Sequence, residues 1–267
     1  MEVLGHRGSR TPGPENTLEA VDAALRAGAD GVELDVRRSA DGDLVCVHDA
    51  RLPRLGGRAV IRRSTSELAS RGIPLLTEML DVWDGRGRLI LEIKNQPGQP
   101  DFDAPRERTA HALIELLRAR LDGPGGLAGS GRPAGPDGAP GTSSSAGSPA
   151  PANRSVPGIT VSSFDWFAIE AIRDAGLGVA TAFLTMPRMS VSGGVAYARS
   201  AGHTELHAHV SAVLGVADAV PRARRAGVRL VTWTVTDPAT AIELRDAGVD
   251  GVICDDPVGV GQALRRP

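Results

Sequence analysis

Four segments of the chain share one pattern, in which an Ala-Gly pair is followed by a short apolar run. They are AGADGVEL (27–34), AGLGVATAF (175–183), AGVRLVTW (226–233) and AGVDGVIC (247–254). Each segment follows a stretch with apolar residues at helical spacing, and a glycine at that point is a signal for the end of a helix. Helices that alternate with short apolar runs indicate βα units and a parallel sheet. The repetition therefore restricts the chain to an α/β fold.

The number of apolar runs predicts that this sheet is closed. Eight runs read as strands, and a TIM-type (β/α)8 barrel is a common solution for chains of about 250 residues. The predicted strands are 2–6, 31–36, 89–93, 159–163, 178–184, 204–208, 228–234 and 250–254. The predicted helices are 17–27, 78–84 with Thr77 as its cap, 104–120, 165–175, 215–226 and 238–247. We expect residues 1–267 to form one barrel domain with a small β-hairpin arm at 43–48.

Residues 122–157 interrupt this pattern with a sequence rich in Gly, Pro, Ser and Ala. A segment almost free of large apolar side chains cannot offset the entropy of ordering by burial, so we expect it to be disordered. Because it follows a helix and precedes a strand, it should leave the barrel at its N-terminal face. Catalysis in such barrels takes place at the opposite face. The insertion is therefore a poor candidate for an active-site lid.

Composition and charge exclude several classes of function. The formal net charge is −2, and the chain has no strongly basic segment, which argues against nucleic acid as a partner. No apolar run approaches the roughly 18 residues of a membrane span. The first residues, MEVLGHRG, lack the features of a secretory signal. We therefore expect a cytoplasmic protein that acts on a small molecule, whereas the oligomeric state stays open.

The stretch GADGVELDVRRSADGDLVCVHD (28–49) concentrates polar groups in a strand and a hairpin. Alternation along a strand places Glu33 and Asp35 on the same face. Two buried carboxylates repel each other unless a positive charge lies between them. A two-residue turn at Asp41-Gly42 would place His48 directly opposite Asp35. We therefore expect Glu33, Asp35 and His48 to form one polar cluster.

Other predicted strands also end in polar residues. The first strand ends at His6-Arg7, and the third carries Glu92 and Lys94 on one face. The seventh ends near Trp233, which either contacts a substrate or fills the barrel mouth. Lys94 is the only lysine among the 30 Lys and Arg residues, so its survival beside a carboxylate points to a function. We expect it at the open mouth of the barrel.

The residue types in this cluster suggest attack on a phosphate ester. Three carboxylates on two adjacent strands are typical of a site for a hard cation such as Mg²⁺ or Ca²⁺. Two histidines can move protons near neutral pH. An arginine and a lysine can hold an anion.

The chain resembles the glycerophosphodiester phosphodiesterases over essentially its whole length apart from the insertion. The resemblance is carried, in order, by HRG, PENT, GADGVELDV, DGDLVCVHD, LEIK, SSF, WTV and GVDGVICDDP. It implies a TIM-type barrel that hydrolyses the head-group diesters of deacylated phospholipids. The residues at the family's functional positions are the metal ligands Glu33, Asp35 and Glu92, the catalytic histidines His6 and His48, and the phosphate-facing Arg7 and Lys94.

The mechanism implied by the resemblance is intramolecular and uses one divalent cation, Mg²⁺ or Ca²⁺. One histidine takes a proton from the glycerol 2-hydroxyl, which attacks phosphorus and gives a cyclic phosphate. The other histidine protonates the departing alcohol, and water then opens the ring to glycerol 3-phosphate. The sequence leaves open which histidine is the first base.

Two other functions stay open at this point. A lysophospholipase D would use the same site on a substrate with one acyl chain. The shortness of the segment 50–72 favours room for that chain, but the sequence shows no aromatic-rich or basic amphipathic membrane surface. A non-catalytic relative would bind phosphodiesters without cleaving them. Loss of a metal ligand or histidine would indicate that reading, and none of these residues is lost.

Overall fold

The structure is a computed structural model, and it describes residues 1–10, 13–53, 56–122 and 158–265. The strands are β1 (Glu2–His6), β2 (Gly31–Arg38), β3 (Leu44–Cys46), β4 (Arg88–Ile93), β5 (Ile159–Ser163), β6 (Ala180–Thr185), β7 (Glu205–His209), β8 (Arg229–Val235) and β9 (Gly251–Cys254). The helices are α1 (Leu18–Arg26), α2 (Thr65–Ala69), α3 (Leu76–Trp83), α4 (Arg108–Asp122), α5 (Trp166–Asp174), α6 (Val191–Ser200), α7 (Val210–Val213), α8 (Ala219–Ala226), α9 (Pro238–Ala247) and α10 (Pro257–Arg265).

Eight parallel strands close into a barrel. Each strand pairs with the next along the sheet, and β1 pairs with both β2 and β9, which joins the two ends. Helices lie between successive strands, and their apolar faces pack against the outside of the barrel in two large clusters. The predicted TIM-type barrel is confirmed, and each predicted strand matches an observed one within a few residues.

The helix predictions need several corrections. Helix α3 begins at Leu76, and its first turn is capped by Glu78, whose Oε2 accepts a hydrogen bond of 2.8 Å from the Leu75 N–H. The predicted cap at Thr77 is therefore wrong, because Thr77 already lies inside the helix. The predicted helix 215–226 begins only at residue 219, after the separate short helix α7. The sequence reading did not include α2, α6 or α10.

The hairpin arm is present, but its register differs from the prediction. Strand β3 pairs antiparallel with β2 through Val36 and Cys46, which shifts every partner by one residue from the expected pairing. The cause is the turn, which has three residues between Ser39 and Asp43 and ends at Gly42 with a φ of +100°. A turn of this length commonly ends in such a left-handed residue. His48 therefore lies beyond the end of β3 and is not the strand partner of Asp35.

The N-terminal end of the barrel interior holds a buried ion cluster centred on Arg88. Its guanidinium donates to Glu2 at 2.7 Å, to the Thr160 hydroxyl at 3.0 Å and to Glu205. Above this cluster lies an apolar layer formed by Leu4, Ile90, Val231 and Ile253. The interior is therefore packed rather than open, and the free ends of the strands above it are the place for a site.

The predicted insertion at 122–157 lies outside the described residues, apart from Asp122 at the end of α4. The helix α4 before it and the strand β5 after it belong to one αβ connection of the barrel. Within the described ranges, no helix is both long and apolar enough to cross a membrane.

Candidate active site

Strand register brings the predicted site residues together at the C-terminal ends of β1, β2 and β4. His6 lies beside Glu33 in the β1–β2 pair, and Asp35 lies beside Glu92 in the β2–β4 pair. Because neighbouring residues of parallel strands point to the same face, these side chains share the barrel mouth. Three strands far apart in sequence thus supply one site.

The three predicted metal ligands form a compact carboxylate cluster. Glu33, Asp35 and Glu92 each offer one oxygen, and these oxygens all lie within 4.8 Å of one another. All three side chains are buried. Lys94 lies among them, with its Nζ 2.8 Å from Asp35 Oδ1 and 2.5 Å from Glu92 Oε1. With 6% of its surface exposed, Lys94 is buried beneath the mouth, contrary to the open position expected from the sequence.

Arg7 is the second positively charged side chain in contact with this cluster. Its Nε lies 3.0 Å from Asp35 Oδ2, and its Nη1 lies 2.6 Å from Glu15 Oε1. Its backbone N–H donates to Glu33 Oε2 at 3.1 Å. This residue has a φ of +57°, and the turned backbone places both its N–H and its side chain toward the carboxylates.

Asn16 orients Asp35 from the first loop. Its Nδ2 donates to Asp35 Oδ2 at 2.8 Å, and its Oδ1 accepts from the Asp35 N–H at 3.2 Å. This pair of bonds fixes the carboxylate in one position. Asn16 lies in the PENT motif that carried the resemblance, but its contact with Asp35 was not predicted from the sequence.

The charges in the cluster separate the proton affinities of the carboxyl groups. Burial, with repulsion from Asp35 and Glu92, raises the pKa of Glu33 well above its ordinary value. Burial also opposes ionisation of Asp35, but Lys94 and Arg7 outweigh it and hold the pKa of Asp35 well below its usual range. Lys94 is buried too, yet Glu92 and Asp35 raise its pKa and keep it charged. Glu33 is therefore the carboxylate that the two positive side chains stabilise least.

A divalent cation fits this shortage. Glu33 Oε1 is buried and has no hydrogen-bond partner among the described residues. The three carboxylates face only two positively charged side chains, Lys94 and Arg7, so one negative charge is uncompensated when all three are ionised. An all-oxygen donor set is the type that Mg²⁺ and Ca²⁺ prefer. The residues present therefore fit the predicted cation.

Each predicted catalytic histidine is paired with an aspartate through the same ring nitrogen. His6 Nδ1 lies 2.7 Å from Asp255 Oδ1, and His48 Nδ1 lies 2.7 Å from Asp49 Oδ1. Such a pair fixes the ring and its tautomer and leaves Nε2 for a substrate. Burial and the nearby charge of Lys94 lower the pKa of His48, which favours its neutral form. Both aspartates lie in motifs that carry the resemblance, DGDLVCVHD and GVDGVICDDP, but no role was predicted for them from the sequence.

Trp233 covers the site from the opposite side of the barrel mouth. Its Nε1 donates to the His207 carbonyl at 3.1 Å, and its ring packs edge-on against Phe164 and His209. Beneath it lies a small cavity of about 20 Å³ whose walls include His6, Glu33, Glu92, Ser162 and His207. His207 is fully buried and bonds to Glu205, whereas His209 caps α7.

A larger depression opens beside His48. It has a volume of about 350 Å³ and lies between the first loop and the segment after the hairpin, with Glu15, Asn16, Val47, Asp49 and Leu52 in its walls. The short segment 50–72 packs on a separate small core that includes Val60, Leu68 and Ile73. The depression therefore reaches Asn16 and His48 from the side of the barrel mouth.

The protein is a TIM-type barrel, and its carboxylates, basic side chains and histidines gather at the C-terminal ends of the strands. This arrangement defines the class of barrel enzymes. Within that class, residues 6–120 and 153–258 match the model of the glycerophosphoryl diester phosphodiesterase family. The chain is a member of this family. The resemblance seen in the motifs and the expectation of a hydrolase of this class are thereby confirmed.

Several known proteins are similar to this chain over part or all of its length. A probable glycerophosphodiester phosphodiesterase 1 of Mycobacterium tuberculosis is 62% identical over 52 residues, a match that covers 20% of this chain and 19% of that protein. A glycerophosphodiester phosphodiesterase of Caldanaerobacter subterraneus is 25% identical over 99% of this chain and 98% of its own length. A phosphodiesterase of Oleispira antarctica, solved in complex with the product sn-glycerol-3-phosphate, has 24% identity and a TM-score of 0.75 and covers 100% of this chain and 97% of its own.

Proposed function

We propose that this protein hydrolyses glycerophosphodiesters to glycerol 3-phosphate and an alcohol, with the help of one divalent cation, Mg²⁺ or Ca²⁺. The observation that carries the proposal is the buried cluster of three carboxylates with Lys94 and Arg7, flanked by two His–Asp pairs. The product named in the Oleispira antarctica complex supports the same substrate class.

Glu33, Asp35 and Glu92 hold the cation in this proposal. A divalent cation, when bound there, supplies Lewis-acid polarisation of a phosphoryl oxygen and a fixed point for the glycerol hydroxyl. Asn16 and Arg7 keep the Asp35 carboxylate in place through its Oδ2. Glu33, whose Oε1 lacks a partner among the described residues, contributes the negative charge that the two cations do not balance.

His6 and His48 carry the proton transfers. With Nδ1 of each ring held by an aspartate, Nε2 of one histidine accepts the proton of the glycerol 2-hydroxyl as that oxygen attacks phosphorus. Nε2 of the other histidine donates a proton to the leaving alcohol oxygen as the P–O bond breaks. The cyclic phosphate is then opened by water with the two roles reversed.

Lys94 and Arg7 balance the charge of the phosphate. The ammonium of Lys94 has three N–H donors, of which the two carboxylates take two, so one is left for a phosphoryl oxygen. Arg7 is held by Asp35 and Glu15, and its guanidinium presents a fixed positive edge to the same region. Trp233 contacts the glycerol or the phosphate from above.

The decisive experiment is a release assay for glycerol 3-phosphate. Purified protein is given glycerophosphodiesters with several head groups, and lysolipids as a second panel, before and after chelation and after addition of Mg²⁺ or Ca²⁺. We expect turnover of the soluble diesters, loss of activity on chelation, and recovery with added metal. Replacement of His6 or His48 by Ala should each lower kcat by about 10²–10⁴-fold, which is typical for one proton-transfer group.

Two results would contradict the proposal. Full activity after exhaustive chelation, with metal analysis as proof of removal, would exclude the cation. Release of the head-group alcohol and an acylated glycerol phosphate from lysolipids, without turnover of the soluble diesters, would make the protein a lysophospholipase D. The Arg118→Glu variant, changed on an exposed position of α4 away from the barrel mouth, is the control for nonspecific loss.

A further inference from the structure

Large exposed apolar side chains are concentrated on one half of the barrel mouth. Seven such side chains are exposed in the described part of the chain, and Met1 alone lies at the other end of the barrel. The other six follow four neighbouring strands, β4 to β7, either in the connections to the next helices or in the first turn of α5. They are Phe102, Trp166, Phe167, Met186, Met189 and Val216. Trp166 packs edge-on against Phe167, and Met189 and Val216 line one depression, so we treat these six side chains as one surface, the apolar rim.

The rim is continuous with the proposed active site. Asn95, the residue after Lys94, donates to Asp165 Oδ2 at 2.7 Å, and Asp165 Oδ1 accepts from the Phe167 N–H at 3.0 Å. Trp166 and Phe167 therefore begin a helix that is tied to the end of the strand that bears Glu92 and Lys94. Met189 and Val216 line one depression of about 340 Å³ on the neighbouring connections.

Two exposed arginines lie on the same loops. Arg106 follows Phe102 in the β4–α4 connection, and Arg188 lies between Met186 and Met189. Both side chains are exposed, and neither has an ion-pair partner among the residues that the structure describes. Asp218, close to Val216, is already engaged by Arg222 and Arg225. The rim therefore combines aromatic and thioether groups with two exposed arginines that lack ion-pair partners among the described residues.

We propose that this apolar rim docks the mouth of the barrel onto an anionic lipid surface. Tryptophan and phenylalanine prefer the boundary between head groups and acyl chains. Arginines near a membrane are drawn to anionic head groups. A symmetric pair of chains would instead place Arg106 and Arg188 of both copies, four arginines in all, in one interface. The inference goes beyond the proposed function, because binding to a surface needs neither the cation nor turnover.

The rim offers a spectroscopic test. Trp83 is buried and Trp233 is half-buried, whereas Trp166 is 50% exposed. On mixing with vesicles of phosphatidylcholine and phosphatidylglycerol, we expect the protein to co-sediment and its tryptophan emission to shift to shorter wavelength. Vesicles of phosphatidylcholine alone should bind more weakly. In Trp166→Phe the emission shift should disappear while co-sedimentation persists.

Substitutions separate the two contributions. Replacing both Trp166 and Phe167 by Ala should weaken vesicle binding at least about tenfold, since apolar burial is lost. Arg188→Glu should weaken binding to the anionic vesicles by about tenfold, whereas Arg118→Glu on α4 should leave it unchanged. These variants should keep wild-type turnover of a soluble glycerophosphodiester, because none of the changed residues touches the site.

Three outcomes would overturn the proposal. The first is that the protein co-sediments with neither type of vesicle, with or without phosphatidylglycerol. The second is that Arg188→Glu and Arg118→Glu bind anionic vesicles alike. The third is a concentration-dependent blue shift without vesicles, accompanied by dimer formation in sedimentation velocity, which would make a second copy the occupant of the rim. Loss of diester turnover would count against the proposed function and not against this surface.

Discussion

His6 Nδ1 lies 2.7 Å from Asp255 Oδ1, although the two residues are 249 positions apart in the chain. The pairing depends on closure of the barrel, because His6 ends β1 and Asp255 directly follows β9, its neighbour. The Asp255 carboxylate holds Nδ1 of His6 and so directs Nε2 to the cluster of Glu33, Asp35 and Glu92. The same arrangement recurs at His48 and Asp49 within one loop.

Replacement of Asp255 by Asn should lower kcat about 10–100-fold, with a smaller effect on KM, since an amide no longer selects one tautomer of His6. The measurement is the pH profile of turnover on a soluble glycerophosphodiester. Arg10→Gln removes the other partner of Asp255, which lies 3.0 Å away, and is the control. Equal kcat values for Asp255→Asn and the wild type would show that the pair does not orient the ring.

Lys94→Arg should damage the enzyme although it keeps the charge. The ammonium contacts Asp35 at 2.8 Å and Glu92 at 2.5 Å in a buried position, whereas a guanidinium is a wide planar group. Displacement of the reacting groups by about 1 Å can lower the rate about 10²-fold. Because the position is buried, we also expect a lower Tm, in contrast to the unchanged stability that an open position would give. A variant with wild-type kcat/KM would show that Lys94 supplies charge alone.

Arg88→Met should destabilise the fold by about 3–5 kcal/mol, because it leaves Glu205 buried without its cation. The free energy of unfolding from denaturant titration is the measurement. Arg229→Met is a matched control, since Arg229 bonds at 2.8 Å to the same Glu2 from a more exposed position. That substitution should cost about 1 kcal/mol or less. Equal losses in the two variants would contradict the importance of burial.

Glu107→Gln should raise stability at alkaline pH. Burial, and then the charge of Asp165, raises the pKa of Glu107 to about 7. While pH rises from the ordinary pKa to this value, the folded state retains a proton that the unfolded chain has lost, so the stability of the wild type falls. Glutamine carries no such charge, and its side-chain oxygen can still accept from Asn95.

The measurement is Tm for both proteins at about pH 5 and about pH 8. We expect a gain of about 2–4 °C for the variant at the higher pH only. A similar gain at both pH values would mean that packing, and not ionisation, explains the effect.

Deletion of residues 125–153 should leave turnover within a few-fold of the wild type. The segment joins α4 to β5, a connection at the face opposite the proposed site. The entropy of loop closure depends only logarithmically on loop length, so Tm should change little. The measurements are kcat/KM on a soluble diester and thermal unfolding. A large loss of kcat in a folded variant would refute the assignment of this segment away from the chemistry.

The hydrophobic pattern alone determined the barrel. Alternating helical and strand periods with repeated Ala-Gly stops predicted all eight barrel strands, because both periods follow from local backbone geometry. Alternation also placed Glu33 with Asp35, and Glu92 with Lys94, on common faces. These inferences need only neighbours along the chain, which is why they were correct.

Tertiary structure decided what depends on partners from elsewhere in the chain. The one-residue shift of the hairpin came from local turn geometry, whereas the closure of β1 on β9 paired His6 with Asp255. The burial of Lys94 and the gathering of six apolar side chains into one rim also required the folded barrel. Local sequence sets which face of a strand a side chain occupies, but distances between strands, and therefore burial and charge pairing, are set by packing across the whole molecule.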